Sequence, residues 1–313
     1  MAKERRQRDV IVIGAGLAGL TATLYAGRMN LSVLVLESAL VGGQIVNATA
    51  IENYPGFASI KGSDLVDSVQ QQAESFGAVI DEFDGIERVD LAAQPKIIET
   101  ESAVYEAGAV ILASGMARRK LELPEAGRYE GKGIHYCELC DGHMYQGKTI
   151  AVMGGGNAAI DAANFLTKYA KKLYVIQRSG SLRADASSQQ RLMAHPEVEI
   201  LLDTDIRALQ GKEHLEQAVV FDKKAGQEKT LPIEGIFVNI GVVPNTELFR
   251  GTIELDAAGS IVAGEDCRTN VPGVFAAGDV RTKLIRQLTT AAADGTVAAL
   301  LAEKYLNHLK EEK

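Results

Sequence analysis

The chain of 313 residues has no tryptophan, few aromatic residues (5%), only three cysteines and no excess of positive charge. Each shortage removes a class of function. Asp and Glu outnumber Lys and Arg by 41 to 33, giving a formal net charge of −8, so no broad basic field exists to hold nucleic acid or an anionic lipid surface. A few local arginines can still hold a phosphate. No uninterrupted apolar run approaches the ~18 residues a membrane helix needs. The N-terminal segment MAKERRQRDV is basic, but the apolar stretch after it is broken by three glycines, so it lacks the core of a secretory signal, and a cytoplasmic protein is expected. Three cysteines in an unexported chain do not make a disulfide framework. Two of them, Cys137 and Cys140, stand three apart, which points to redox or metal chemistry.

What is present is globular. Hydrophobic residues make up 46% and charged residues 24%, which excludes disorder and fibre, and the length fits two domains rather than one. Glycine is enriched, at 31, and its placement is organised. A β-branched apolar run from Val10 feeds Gly14-x-Gly16-x-x-Gly19, then a helical pattern from Leu20 to Met29, then the strand Ser32 to Glu37. Strand, glycine turn, helix, strand and terminal acid form a dinucleotide-binding unit. The glycines let the backbone approach a pyrophosphate at the helix N-terminus, and Glu37 can accept from a ribose hydroxyl.

The same unit recurs about 140 residues later: Thr149 to Met153, Gly154-x-Gly156-x-x-Ala159, a helical stretch to about Tyr169, and the strand Lys172 to Gln177. That spacing is too long for a solenoid and suits two nucleotide-binding domains. Further on, the turn Val271-Pro272-Gly273 precedes a short strand, Val274 to Ala277, that ends in Gly278-Asp279, and this reads as a return to the first domain. The expected architecture is α/β, with two nested Rossmann-like domains: residues 1–116 and 248–313 form the first, and 117–247 are inserted into it as the second.

Cys137 and Cys140 precede the second glycine turn by about 14 residues and so belong to the inserted domain. Two thiols three apart at a helix start can close a small disulfide ring, and the helix N-terminus favours the thiolate that exchanges. Asp141, next in sequence, is placed to shuttle a proton. Half a zinc site and two inert buried residues are the competing readings. Zinc needs four ligands, and beyond His135 and His143 flanking the pair the chain offers only Cys267 and scattered histidines. Cys267 carries no motif and reads as a small buried residue. Tyr305 and His308, near the C-terminus, read as packing residues of a terminal helix, with Lys310–Lys313 as a solvated run.

These motifs, together with Gly42-Gly43-Gln44, Glu52 to Gly56, Gly241 to Asn245, Gly278-Asp279-Val280 and Arg286-Gln287, resemble the low-molecular-weight, bacterial-type thioredoxin reductases of the FAD-dependent pyridine nucleotide-disulfide oxidoreductase family, nearly end to end. The resemblance implies that the first domain binds FAD through Gly14, Ala15, Gly16, Gly19 and Glu37, the last on the adenosine ribose. It implies Gly42, Gly43, Gln44 and Asn53 near the flavin, Gly278, Asp279 and Val280 at the ribityl chain, and Arg286, Gln287 and Leu288 at the isoalloxazine. It implies Cys140 facing the flavin, Cys137 exchanging with a thioredoxin-like partner, Asp141 as the acid–base group, and a homodimer. The inserted domain is then expected to swing about its two crossings, so that disulfide and nicotinamide take turns at the flavin.

Gly154, Gly156 and Asn157 would hold the nicotinamide dinucleotide, with Arg178 and Arg183 on its 2′-phosphate. Here the sequence departs from the family. Where relatives typically read His-Arg-Arg-x-x-x-Arg, this chain reads Gln177-Arg178-Ser179-Gly180-Ser181-Leu182-Arg183. Two arginines remain and no acid replaces them, which favours NADPH over NADH. Other readings stay open: a relic site with ferredoxin as donor, a flavin-dependent oxidase of small dithiols, and a non-catalytic flavin redox sensor.

Overall fold

The computed structural model describes residues 3–48 and 51–311. The chain divides into two compact units, one holding the residues up to Ala117 and from Val243 onward, the other Arg118–Val242. Two nested Rossmann-like units, the second interrupting the first, make the fold.

The first unit opens with β1 (Glu4–Ile13), α1 (Leu17–Arg28), β2 (Val33–Glu37), α2 (Gly62–Glu74), β3 (Val79–Glu82), β4 (Ile86–Asp90), β5 (Lys96–Thr100) and β6 (Ala103–Leu112). The chain leaves it along β7 (Met116–Arg118). The inserted unit runs through β8 (Ile134–His135), α3 (Ala126–Tyr129) lying before it and α4 (Glu138–Asp141) after it. Next come β9 (Thr149–Met153), α5 (Asn157–Leu166), β10 (Lys172–Ile176), α6 (Ala186–Met193), β11 (Val198–Leu201), the antiparallel trio β12 (Thr204–Gln210), β13 (Gln217–Asp222) and β14 (Gln227–Leu231), and β15 (Gly235–Val238). The return strand β16 (Val242–Pro244) pairs with β7, and β17 (Val274–Ala276) and α7 (Leu288–Glu311) complete the first unit.

In the first unit the sheet order is β3-β2-β1-β6-β5-β4, with β17 alongside the end of β6. Strands β3, β2, β1, β6 and β17 are parallel, while β4 and β5 turn back antiparallel. Val10–Ile13 of β1, Val33–Leu36 of β2, Ala109–Leu112 of β6 and all of β17 are buried on both faces, which is why they read as continuous apolar runs. Val10, Val12, Val33, Val35 and Ile111 pack on one face with α1 and α7, whereas Ile11, Ile13, Leu34, Leu36 and Leu112 pack on the other with Phe249, Ile253 and Ile261. The inserted unit repeats the plan with a wholly parallel sheet, β11-β10-β9-β15-β8. Ile150, Val152, Leu173 and Val175 meet α5 on one face, and Ala151, Tyr174 and Ile176 meet the β12–β14 trio on the other.

Two element boundaries differ from expectation. Helix α1 starts at Leu17, three residues before Leu20, because Gly16 is its extended N-cap and Leu20 already donates to the Gly16 carbonyl at 2.9 Å. Burial of Leu17, Ala18 and Leu20 outweighs the weak helix propensity of Gly19. Helix α5 ends at Leu166 instead of near Tyr169, where the chain turns and Tyr169 donates to the Leu166 carbonyl. The return crossing falls at Val242 and Val243, while 248 marks the start of the segment expected to rejoin the first domain.

Candidate active site

In the first unit, Gly14 adopts φ 103°, and a Cβ there would strike the Ala113 carbonyl at 2.5 Å. A Cβ on Gly19 would lie 1.9 Å from the Gly14 carbonyl, so helix and turn pack at a distance only glycine allows. Gly16, by contrast, faces open space, leaving the first-turn amides of α1 without a side-chain cap. Glu37 braces the turn: its two carboxylate oxygens accept from Ala15 N at 2.8 Å and Ala39 N at 3.0 Å. Gly42 donates to the Ala15 carbonyl, and a Cβ on Gly43 would sit 3.4 Å from Gly16 Cα, so Gly42 and Gly43 lie against the same turn. Gln44 Nε2 donates to the Met116 carbonyl at 2.6 Å, and Asn53 Nδ2 donates to Gln287 Oε1 at 3.2 Å.

Gly278, Asp279 and Val280 form a 3-10 turn after β17. It is clamped from α7, where Asp294 accepts from Gly278 N at 3.0 Å, Arg281 Nη2 at 2.7 Å and Lys283 Nζ at 2.8 Å. Burial pushes the Asp279 carboxyl up, and its Oδ1 is buried without a hydrogen-bond partner. A buried acceptor left unpaired is costly, so this atom is suited to a ligand hydroxyl such as that of a polyol. Arg286 Nε approaches the Asp279 carbonyl at 3.4 Å, and Leu288 begins α7. Taken together, the residues of the first unit fit FAD.

In the inserted unit Cys137 and Cys140 are joined in a disulfide. Cys137 is the N-cap of α4, and its Sγ accepts from Cys140 N at 3.2 Å. Cys137 and Asp141 line a cavity of about 370 Å³ together with Glu130, His135, Tyr136 and Met144. Behind Asp141, a carboxylate oxygen lies 3.0 Å from His135 Nδ1, whose other nitrogen lies 2.7 Å from the Tyr145 hydroxyl. Among the described residues no group of three or more His, Cys, Asp or Glu is arranged to hold a metal ion.

The second glycine turn sits after β9. Gly154 has φ 132°, and a Cβ there would meet the Asn239 carbonyl at 2.2 Å, while Gly156 faces open space at the start of α5. The buried Asn239 Nδ2 beside this turn has no hydrogen-bond partner. Asn157 is tied to Asp185, accepting from its amide at 2.8 Å and donating to its carboxylate at 3.1 Å. Arg178 and Arg183 are exposed, and the backbone of Arg183 donates to the Gly155 carbonyl at 2.6 Å. The buried Gln177 donates to Ser179 Oγ at 2.7 Å, holding the loop that carries both arginines. Lys223 reaches this loop too, donating to the Arg178 carbonyl at 2.9 Å while paired with Asp205. These residues fit a nicotinamide dinucleotide, with cations at its outer end.

The family model for pyridine nucleotide-disulphide oxidoreductases matches residues 8–295, and the chain belongs to that family of flavin-dependent oxidoreductases. A narrower kinship follows from relatives that cover it end to end. It is 39% identical to a thioredoxin reductase of Listeria monocytogenes, with 99% of this chain and 98% of the relative covered. It is 50% identical to a 34.2 kDa protein in the rubredoxin operon of Clostridium pasteurianum, over 97% and 99% of the two chains. The crystal structure of Lactococcus lactis thioredoxin reductase in its FR conformation superimposes with TM-score 0.89 at 34% identity, covering 96% of this chain and 99% of that one. The disulfide-reductase chemistry read from Cys137 and Cys140 is that of the two thioredoxin reductases among them.

Several residues escaped the sequence reading. Arg281 and Lys283 lie 13 and 11 residues before Asp294 and meet it only because α7 folds back on the 3-10 turn. Tyr145 carried no motif. Cys267 is fully buried, with its thiol pushed up to about 12 by burial and by the nearby Asp294 carboxylate, so it packs and does not exchange. Tyr305 packs against the core of its unit, where a Cβ on Gly273 would lie 2.5 Å from its ring.

Proposed function

We propose that this flavoenzyme reduces the disulfide of a thioredoxin-like protein, taking its electrons from NADPH. In this reading the first unit binds FAD through the residues named above, and the inserted unit binds the nicotinamide and carries the redox pair. The observation that carries it is the Cys137–Cys140 disulfide with Asp141 at one cavity, an arrangement that serves exchange with a partner's sulfur. When bound, FAD supplies the two-electron couple that links a nicotinamide to a disulfide. The remaining chemistry belongs to the chain. Asp141 takes the proton of Cys137, the Cys137 thiolate attacks the partner disulfide, and Asp141 returns the proton to the partner sulfur that leaves. Cys140 then attacks Cys137, closing the ring and giving its proton to the partner's second sulfur. The partner gains two electrons and two protons, and the chain's dithiol loses them.

NADPH is favoured over NADH by Arg178 and Arg183, with Lys223 as a third cation beside them. The reading also makes the enzyme a cytoplasmic homodimer, in keeping with the resemblance; no described helix is long and apolar enough to cross a membrane. The test is an anaerobic titration of the yellow holoprotein with NADPH, NADH and reduced ferredoxin, followed by addition of an oxidised thioredoxin. Bleaching by NADPH and reoxidation by thioredoxin are expected, with neither partner reduction in Cys137→Ser nor in Cys140→Ser. Bleaching by ferredoxin alone would overturn the donor, and full thioredoxin reduction by either serine variant would overturn the mechanism.

A further inference from the structure

Next to Asp141 lies a buried pair, His135 and Tyr145, that takes no part in the exchange steps. Strand β8 ends in His135, which is 4% exposed and stacked on Phe237 of β15 with ring centroids 5.4 Å apart. From this fixed position it reaches in two directions, to the Asp141 carboxylate through Nδ1 at 3.0 Å and to the Tyr145 hydroxyl through Nε2 at 2.7 Å. Tyr145 is itself wedged edge-on against both rings, at 5.3 Å from His135 and 5.6 Å from Phe237.

The chemistry of the atoms orders the protons. A carboxylate only accepts, so Nδ1 must carry a hydrogen, and a neutral ring then has Nε2 free to accept from Tyr145. Burial, with Asp141 and Glu234 nearby, pushes the Tyr145 hydroxyl up to about 12, so it remains a donor at neutral pH. Lys148 covers the outer face of the Tyr145 ring at 5.2 Å, and Phe237 offers no charge. Among the described residues Asp141 is thus the ionisable group in contact with His135 Nδ1, and it faces the same cavity as Cys137.

We infer that His135 is a positioning residue for thiol–disulfide exchange: its Nδ1–H, with its tautomer fixed by Tyr145, holds the Asp141 carboxylate toward Cys137 and stabilises it each time it gives up its proton. This deepens the proposed function and rests on its assignment of Asp141. Any buried imidazole needs partners for its nitrogens; what marks His135 is that one of those partners is the carboxylate that shares a cavity with Cys137, whereas an apolar side chain would serve the stack on Phe237 as well. The carboxylate is one-third exposed or less, with side-chain exposure of 30%, so without His135 it is free to turn into water.

The experiment uses the FAD holoprotein reduced with excess dithiothreitol, freed of it anaerobically, and mixed with a chromogenic aromatic disulfide across a range of pH. In His135→Phe the exchange rate constant is expected to fall about tenfold, as for loss of an orienting hydrogen-bond partner, and the pH–rate profile to depart from the parental one. His135→Gln, whose amide N–H also donates, is expected to recover most of the rate. Tyr145→Phe keeps the ring and loses only the hydroxyl, and a loss of about threefold with a smaller departure is expected. A parental pH profile in His135→Phe overturns the inference. If that variant does not fold, as judged by its flavin content, a parental profile in Tyr145→Phe overturns it instead. Asp141→Asn separates the two levels: should it exchange at the parental rate, the proposed role of Asp141 itself fails, whereas a slow Asp141→Asn beside a parental His135→Phe removes only the role of His135.

Discussion

The two glycine turns of this protein share a design and differ in how each is secured. In the first, a third glycine lets α1 press so close to the turn that a Cβ on Gly19 would stand 1.9 Å from the Gly14 carbonyl, and Glu37 closes the turn with two hydrogen bonds to backbone amides. In the second, Ala159 replaces the third glycine, and Gln177, just past the end of β10, holds with its amide the exposed loop bearing Arg178 and Arg183. The first turn ends in a braced carboxylate, an acceptor of the kind that can meet a ribose hydroxyl. The second ends in cations that can meet a phosphate. Similar backbones therefore offer opposite charges beyond the second strand, and the residue at or just past that strand's end is where they diverge.

The largest expected effect concerns what holds the first unit's turn at Asp279 and has no counterpart in the second. Burial raises the Asp294 carboxyl, but hydrogen bonds from Arg281 and Lys283 outweigh it and keep the group below its ordinary range. Its stabilisation is therefore complete above the unfolded value near ~4 and is lost as pH falls through the lower folded value. Asp294→Asn leaves two buried cations short of a partner and should cost about 3 kcal/mol. Thermal unfolding monitored by flavin release should show the lower midpoint and a flatter acid dependence, and an unchanged midpoint would mean that the clamp does not matter.

Next in size is Gly19→Ala, which places a methyl group into the Gly14 carbonyl and should weaken FAD binding by about 2 kcal/mol, roughly thirtyfold. Flavin absorbance per chain reads this directly, and full occupancy at low FAD would break the contrast with the alanine-tolerant second turn. Replacing Arg178 and Arg183 together by alanine should lower NADPH affinity about tenfold while leaving NADH unchanged. Equal losses for both nucleotides would show that the arginines only shape the loop. The smallest effect should come from Ala159→Gly, about 0.5 to 1 kcal/mol of stability from helix propensity alone, with no change in flavin content. A change in flavin content would mean that the two turns are not independent.

Much of this was legible because parallel strands buried on both faces write themselves as apolar runs, as Val10–Ile13 and Thr149–Met153 do, and because glycines mark the turns between them. The start of α1 was not, since Gly16 and Gly19 look like helix breakers until the packing of Leu17 and Leu20 is known. The β12–β14 trio left little trace, because one strand, Gln227–Leu231, is exposed along most of its length and carries no apolar rhythm. At the site, Cys137, Cys140 and Asp141 could be found by spacing, but His135 precedes them as a lone histidine. Only the end of β8 places its ring behind the carboxylate, and Tyr145 completes the chain from a turn that has no sequence signature.

The pairing of β7 with β16 makes the insertion a cassette in topological terms. Exit and return run as neighbouring strands, about 5 Å apart, so the long excursion from Arg118 to Val242 begins and ends at nearly one place. Around that place each unit ties its own side, with Asn245 and Ser114 exchanging hydrogen bonds at 2.7 and 2.9 Å on one and Arg119 N donating to the Gly241 carbonyl on the other. Neither strand of this pair belongs to the first unit's main sheet. Gain or exchange of a nucleotide-binding module at this junction would therefore leave the order of strands in the host sheet untouched.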